Sequence, residues 1–395
     1  MTFYKTLDTT SRYILFCCFF IFFVNGLYSM IFGSILPILS ETYQLSDTIS
    51  GVLLSAHQAG NLIAGFIAGL LPIYYGRKKS ILFLSSFVII GFFLMIVTSQ
   101  PLLLLLGFFF TGISRGSISN FNNKTVNDIS NSNPVALNFL HSMFAIGALL
   151  SPFLVLGVSS LFGSWGWKVA LIMIIILIII SQVMFSKMPI EEDNLVRKNR
   201  GKKDYSFFKD TLFWNTIGII FFYLCAESAI TGWLVTYFIS QELLTISQAQ
   251  MISSLLWLSI LIGRLMCVFM SGRLSKGILI TVISIGSSLF YLLLLNSTSL
   301  SMIIFSILGL GISMGGIYPT AMTIAGQSIK KHPMALGWIL VIGGLGGITM
   351  PMITGYLSEK LTIFHGMAAI IIAIVLMLLS VFWYQLVNQK KEIYK

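Results

Sequence analysis

The chain has 395 residues, 56% of them hydrophobic and only 9% charged, with a net charge of +11 at pH 7. That balance excludes a soluble globular domain and defines an integral membrane protein. The excess of positive charge does not mark a nucleic-acid binder, because a basic DNA-binding face sits on a soluble domain with its own core and no polar stretch here is long enough to build one.

A spanning helix needs about 20 mainly apolar residues. Twelve such stretches follow one another, at about 12–40, 48–74, 79–98, 101–123, 134–162, 166–186, 207–239, 246–271, 276–296, 299–326, 333–357 and 362–386. They lack the period-two alternation of barrel strands, so the fold class predicted is all-α, with twelve transmembrane helices. Numbered alternately from the N-terminus, the loops put all but four of the 24 Lys and Arg on one side; Lys168 and Lys360 fall on the other, and Arg115 and Arg264 lie within spans. The positive-inside rule then predicts a multi-pass protein of the cell membrane with both termini cytoplasmic. The first apolar run is too long, and lacks the small-residue cleavage site, for a removable signal peptide.

Span one carries Asn25, an uncharged donor and acceptor suited to a hydroxyl. In span two His57, Gln58 and Asn61 cluster, and His57 and Asn61, four apart, share a face. They serve either an interhelical hydrogen bond or contact with a substrate or proton. Gly60, Gly65 and Gly69 on the same span allow close helix approach. Arg115 in span four either faces the interior or snorkels to the polar run that begins at Asn120, roughly 8 Å away along the helix. Asn138 and His141 share a face near the cytoplasmic end of span five. Trp165 and Trp167 flank an outside loop as interface anchors.

The sustained polar stretch between Lys187 and Asp210 divides the chain into an N-terminal half, 1–186, a cytoplasmic linker, 187–206, and a C-terminal half, 207–395. Beyond it, span seven carries Glu227, the one carboxylate deep inside a span. It stands about 13 residues from Trp214 and 11 from Phe238, roughly 20 and 17 Å. A carboxylate at such depth costs about 2.5–3.5 kcal/mol on insertion scales and ordinarily marks an ion or substrate path. Either it carries a proton or it is a neutral acid bonded to a neighbouring helix. Pairing with Arg115 would lower the cost of both charges. Trp233 and Tyr237 in span seven, Trp257 in span eight and Tyr318 in span ten each offer a stacking face and a hydrogen-bond donor, a combination suited to sugar rings. Pro152, Pro319 and Pro351 can bend their spans.

Cys17, Cys18, Cys225 and Cys267 are scattered within spans and form neither a disulfide framework nor a zinc spacing. The four histidines supply no ligand pair, and no GxxxxGK[ST] loop occurs. No metal or cofactor is therefore expected, and any transport must draw on a gradient. Paired acids and a nucleophile with a nearby base are absent too, which argues against an enzyme.

The halves repeat. Gly112-Ile-Ser-Arg-Gly116 in span four recurs as Gly311-Ile-Ser-Met-Gly315 in span ten, an offset of 199 residues. Gly147 stands five residues before Pro152, as Gly346 does before Pro351. Gly76-Arg77 after span two is matched by Gly272-Arg273 after span eight.

These features, with the loop Gly76-Arg77-Lys78-Lys79, resemble the major facilitator superfamily, whose members carry two six-helix halves. The acid usual within that loop motif falls on Ile73 here. Within the superfamily the chain is most similar to the fucose, glucose and related sugar:proton symporters. The likeness rests on Asn138-Phe-Leu-His141, Ile146 through Pro152, Ala226-Glu227 with Trp233 and Tyr237, Gly316-Ile-Tyr-Pro-Thr320, and Gly343-Gly344 through Pro351 to Gly355. Two acids often found in such proteins fall on Ser119 and Asn25. The resemblance implies a central cavity lined by spans one, four, seven and ten, gated by spans two, five, eight and eleven.

The function expected is proton-coupled uptake of a small neutral solute, most readily a sugar, by a monomer in the lipid bilayer that needs no nucleic acid. The alternative is a proton-driven antiporter exporting amphiphilic or cationic compounds. Gly147 through Pro152 also resembles that group's fifth-span motif, but the arginine of its fourth span would fall near Phe108.

Overall fold

The computed structural model describes residues 7–130, 134–189, 205–271, 273–332 and 334–393, and every regular element among them is helical. Twelve passes follow the apolar stretches. Span one is a pair of helices, Thr9–Ser29 and Ile31–Tyr43, and spans two to six are Asp47–Tyr75, Arg77–Val97, Pro101–Ile129, Pro134–Phe162 and Gly166–Ser186. Spans seven to nine are Thr211–Ser240, Ile246–Met270 and Lys276–Leu295; span ten is the pair Leu300–Gly315 and Ile317–Lys331, and Met334–Lys360 and Ile363–Ile393 complete the set. Most of the polar linker expected at 187–206, and Gly272 of the second Gly-Arg pair, lie outside the described residues.

Local chemistry accounts for several boundaries. Asp210, Thr245, Ser275 and Ser299 cap spans seven to ten by accepting a backbone N–H of the first turn, and Thr245 with Gln248 forms a full capping box. Span seven accordingly starts at Thr211, with a short 3-10 turn at Ser206–Lys209 before it, not at 207. The break in span ten follows from Pro319, which has no N–H to offer the carbonyl four residues back, that of Gly315. Span four runs on to Ile129, six residues beyond its expected end, so Asn120 and Lys124 stand on a helix.

The chain groups into two units. One comprises Met1–Leu45 and Ala56–Lys198, the other Ser46–Ser55 and Asn199–Lys395. Each is held by helices in backbone contact. Within a bilayer there is no hydrophobic force between helices, so close packing and interhelical hydrogen bonds must supply the cohesion, and small residues make the approach possible. In the first unit, a Cβ at Gly112 would collide with the His57 carbonyl, and one at Gly116 with the Asn61 carbonyl. In the second, Cβ atoms at Gly311 and Gly315 would collide with the carbonyls of Leu256 and Ile260. Leu256 and Ile260 stand 199 residues after His57 and Asn61, the offset of the glycines themselves. The repeat is therefore a repeated helix crossing, span four on span two and span ten on span eight. Gly147 against the Phe23 carbonyl and Gly346 against the Phe221 carbonyl repeat the crossing of span five on span one and of span eleven on span seven.

The start of span two belongs to the second unit through specific bonds. The Thr48 amide donates to Glu359 at 2.9 Å, the Ser55 hydroxyl to the Ile348 carbonyl at 2.6 Å, and Ser358 bonds Asp47.

Candidate functional site

In the first unit a chain of polar groups links spans two and four. The Thr111 hydroxyl donates to the Phe108 carbonyl at 2.7 Å, so its oxygen is left to accept from His57 Nδ1 at 2.9 Å. That fixes the tautomer: Nδ1 carries the proton and Nε2 presents a lone pair. Arg115 Nη1 lies 3.4 Å from that Nε2 and 3.4 Å from Gln58 Oε1. Arg115 thus turns toward span two and does not snorkel to the polar end of its own helix. His57 is buried, while Gln58 and Arg115 are half-buried. Asn61, one turn further along span two, packs on Gly116.

Asn25 is fully buried. Its amide donates to Ser119 Oγ at 3.1 Å and to the Arg115 carbonyl at 3.4 Å, and it accepts from Ser29 at 3.3 Å. The two positions noted for missing acids, Asn25 and Ser119, are therefore bonded to one another, an uncharged pair joining spans one and four. Asn138 and His141 are exposed, and His141 stacks edge-on against Phe22, their ring centroids 5.6 Å apart.

In the second unit Glu227 is half-buried and accepts from the Tyr223 hydroxyl at 2.7 Å. Arg264 from span eight lies within electrostatic reach of Tyr223, and Tyr318 from span ten within reach of both Tyr223 and Glu227. The arginine near Tyr223 in this unit is Arg264, whereas Arg115 takes His57 and Gln58 as partners in the other.

The aromatic candidates separate. Trp233 is fully buried, and its Nε1 donates to the Pro351 carbonyl at 3.1 Å, so its polar tip is engaged in joining span seven to the bend of span eleven. Tyr237 and Trp257 are buried in the helix packing, and Tyr318 is half-buried.

Two residues of these clusters escape a reading by depth alone, Tyr223 and Thr111, and Arg264, though its place within span eight is legible, takes no role from the sequence alone. Tyr223 and Thr111 carry a helical signal, since each stands four residues before its cluster's charged member and shares its face.

Among the described residues no group of His, Cys, Asp or Glu could hold a metal ion, and the four cysteines are free and buried.

Buried polar clusters on otherwise apolar spans, in a protein of twelve membrane passes, are the arrangement of a membrane transporter, where intramembrane ionisable groups mark a pathway. The profile of the Major Facilitator Superfamily matches residues 18–332 and 219–393, and the chain belongs to that superfamily. The protein TsgA homolog of Buchnera aphidicola is 23% identical over 365 residues, 91% of this chain and 92% of that protein. Two solved structures share the fold. One is a bacterial homologue of the human lysosomal transporter Spinster, with TM-score 0.76 and 15% identity over 97% of this chain and 98% of the other. The second is the fucose:proton symporter FucP of Escherichia coli, with TM-score 0.63 and 14% identity over 95% and 99%.

Proposed function

We propose that this transporter couples proton entry to uptake of a small neutral solute, a sugar, by alternating access. The observation that carries the reading is the hydrogen bond between the Tyr223 hydroxyl and Glu227, midway along span seven. A half-buried carboxyl can receive a proton, and a tyrosine donor gives the ionised form a partner once the proton leaves. The candidate solute groups add mainly uncharged donors and acceptors, Gln58, Asn61, Asn138 and Tyr318, with Arg115 and His57 as a second polar station. This suits hydroxyls better than a charged ligand, and the structural likeness to a fucose:proton symporter supports it. Export of amphiphilic cations is disfavoured by the guanidinium in each unit's own polar cluster, Arg115 with His57 and Gln58 in the first and Arg264 near Tyr223 in the second.

On this reading the proton gradient is the energy source and no cofactor takes part. The protein works as a monomer in the cell membrane with both termini cytoplasmic, as the distribution of Lys and Arg implies. The test is proton movement in vesicles of purified protein, with a panel of neutral sugars and lipophilic cations, comparing wild type with Glu227→Gln. Sugar-driven proton entry that the substitution abolishes, with binding retained, supports the proposal. Proton counterflow driven by cations alone, or sugar flux without protons in both proteins, overturns it.

A further inference from the structure

A cavity of about 320 Å³ opens in the first unit, away from the polar clusters above, between spans two, three and four at the end that carries Arg77, Lys78 and Lys79. That volume lies at the lower end of small-molecule sites, about 300–1,000 Å³. Its polar lining consists of Arg77, Ser80, Ser117, Asn120 and Lys124, two cations and three neutral groups, with no carboxylate. Ser117 is fully buried and its hydroxyl has no hydrogen-bond partner among the described residues. The helix of span three begins at this wall, after Gly76 and with no side chain capping it, so its first amides add partial positive charge.

Arg77 also meets Asp128, but both guanidinium nitrogens reach a single carboxylate oxygen, at 3.3 and 3.4 Å. Asp128 is 47% exposed and does not line the cavity, so water screens much of its charge. The apolar side is open as well: a Cβ on Gly65 or Gly69 would meet no atom within 4 Å, and Phe66, Leu70 and Ile73 stand exposed beside them.

We propose that this cavity is a binding site for a phosphate-bearing anion. Arg77 supplies the planar fork that matches phosphate oxygens, Lys124 a second point charge, and Ser117 a hydroxyl donor otherwise left unsatisfied. Two sources share that chemistry, an anionic phospholipid headgroup with its chains along Phe66 and Leu70, and a free phosphate. None of these residues belongs to the proposed proton or solute machinery, so the site stands or falls independently of the transport reading.

The test is thermal unfolding of delipidated full-length protein in detergent at fixed ionic strength, titrated separately with short-chain phosphatidylglycerol, short-chain phosphatidylcholine and inorganic phosphate. A saturable rise with phosphatidylglycerol alone assigns the site to lipid, and a rise with inorganic phosphate as well extends it to free phosphate. Lys124→Gln and Arg77→Gln should each weaken binding roughly fivefold, the equivalent of about 1 kcal/mol per cation near an anionic surface. Gly69→Leu should fill the cavity and abolish binding. Because Arg77→Gln also breaks the contact with Asp128, Lys124→Gln and Gly69→Leu decide the matter if that variant does not fold. Binding unchanged in those two variants, equal response to phosphatidylcholine, or no saturable response to either anion overturns the proposal.

Discussion

Removing the Tyr223 hydroxyl tests whether Glu227 is held as an ion or as a neutral acid. The bond is short, 2.7 Å, and its donor is on a buried ring, so water cannot readily replace it. A hydrogen bond to a charged group contributes about 1.5–3 kcal/mol, whereas a neutral one contributes about 0.5–1.5 kcal/mol. Tyr223→Phe, Glu227→Leu and the double variant form a cycle whose coupling free energy reports the strength of the bond between them, and Glu227→Gln is carried alongside for the transport assay. The assay is reversible unfolding of purified protein in detergent at neutral pH, with sugar-dependent proton entry measured on the same variants in vesicles. Coupling of about 2 kcal/mol is expected of an ionised carboxyl, with proton entry slowed in Tyr223→Phe and lost in Glu227→Gln. Coupling near about 1 kcal/mol would point to a neutral acid bonded for structure. Coupling of zero, or proton entry intact in Glu227→Gln, would refute the carrier role.

Thr111→Val should leave His57 Nδ1 without an acceptor and cost about 1–3 kcal/mol in unfolding free energy, with Thr111→Ser restoring most of it. Gly112→Leu and Gly311→Leu drive a side chain into a backbone carbonyl and should each lower stability by about 1–3 kcal/mol or more, while Gly65→Leu, facing open space, should leave the unfolding temperature unchanged; equal losses at all three would count against the repeated crossing. Trp233→Phe removes the donor to the Pro351 carbonyl, and it should cost about 0.5–1.5 kcal/mol and leave sugar affinity unchanged; a sharp loss of affinity would restore Trp233 to the solute site.

The spans were legible because length and apolarity alone define them, and the residues of the repeat were legible because glycines at one offset leave a mark that packing then explains. What was not legible is which face each residue presents. An apolar helix in a bilayer has no wet side to betray its inner one, so Trp233 reads equally well as a sugar platform or as the wedge it forms on span eleven. Asn25 likewise reads as a free donor until Ser119, Ser29 and the Arg115 carbonyl are found around it. The grouping of residues 46–55 with the second unit had no signal at all, since span two is one continuous helix and nothing in its composition changes at Ser55.

The repeat also separates scaffold from chemistry. At an offset of 199, Gly112 and Gly116 map on Gly311 and Gly315, but His57 maps on Leu256, Arg115 on Met314, and Arg264 on Gly65. Glu227 maps on Tyr28, or on Ser29 at the offset of 198 that the Phe23 and Phe221 contacts show, and neither is an acid. A charge required to close a helix crossing would recur with the crossing, as the glycines do. Each ionisable group in these clusters instead appears once, although the same helices meet in the same way without it in the other unit. Their insertion cost is therefore not offset by a structural need the two units share. The non-repetition favours transport over packing as the reason for Glu227 and Arg264, and it makes a direct test: Arg264→Gly, which copies the residue of the other half, should keep the fold and its unfolding temperature while impairing proton-coupled uptake. Loss of the fold in that variant would show that Arg264 is part of the scaffold after all.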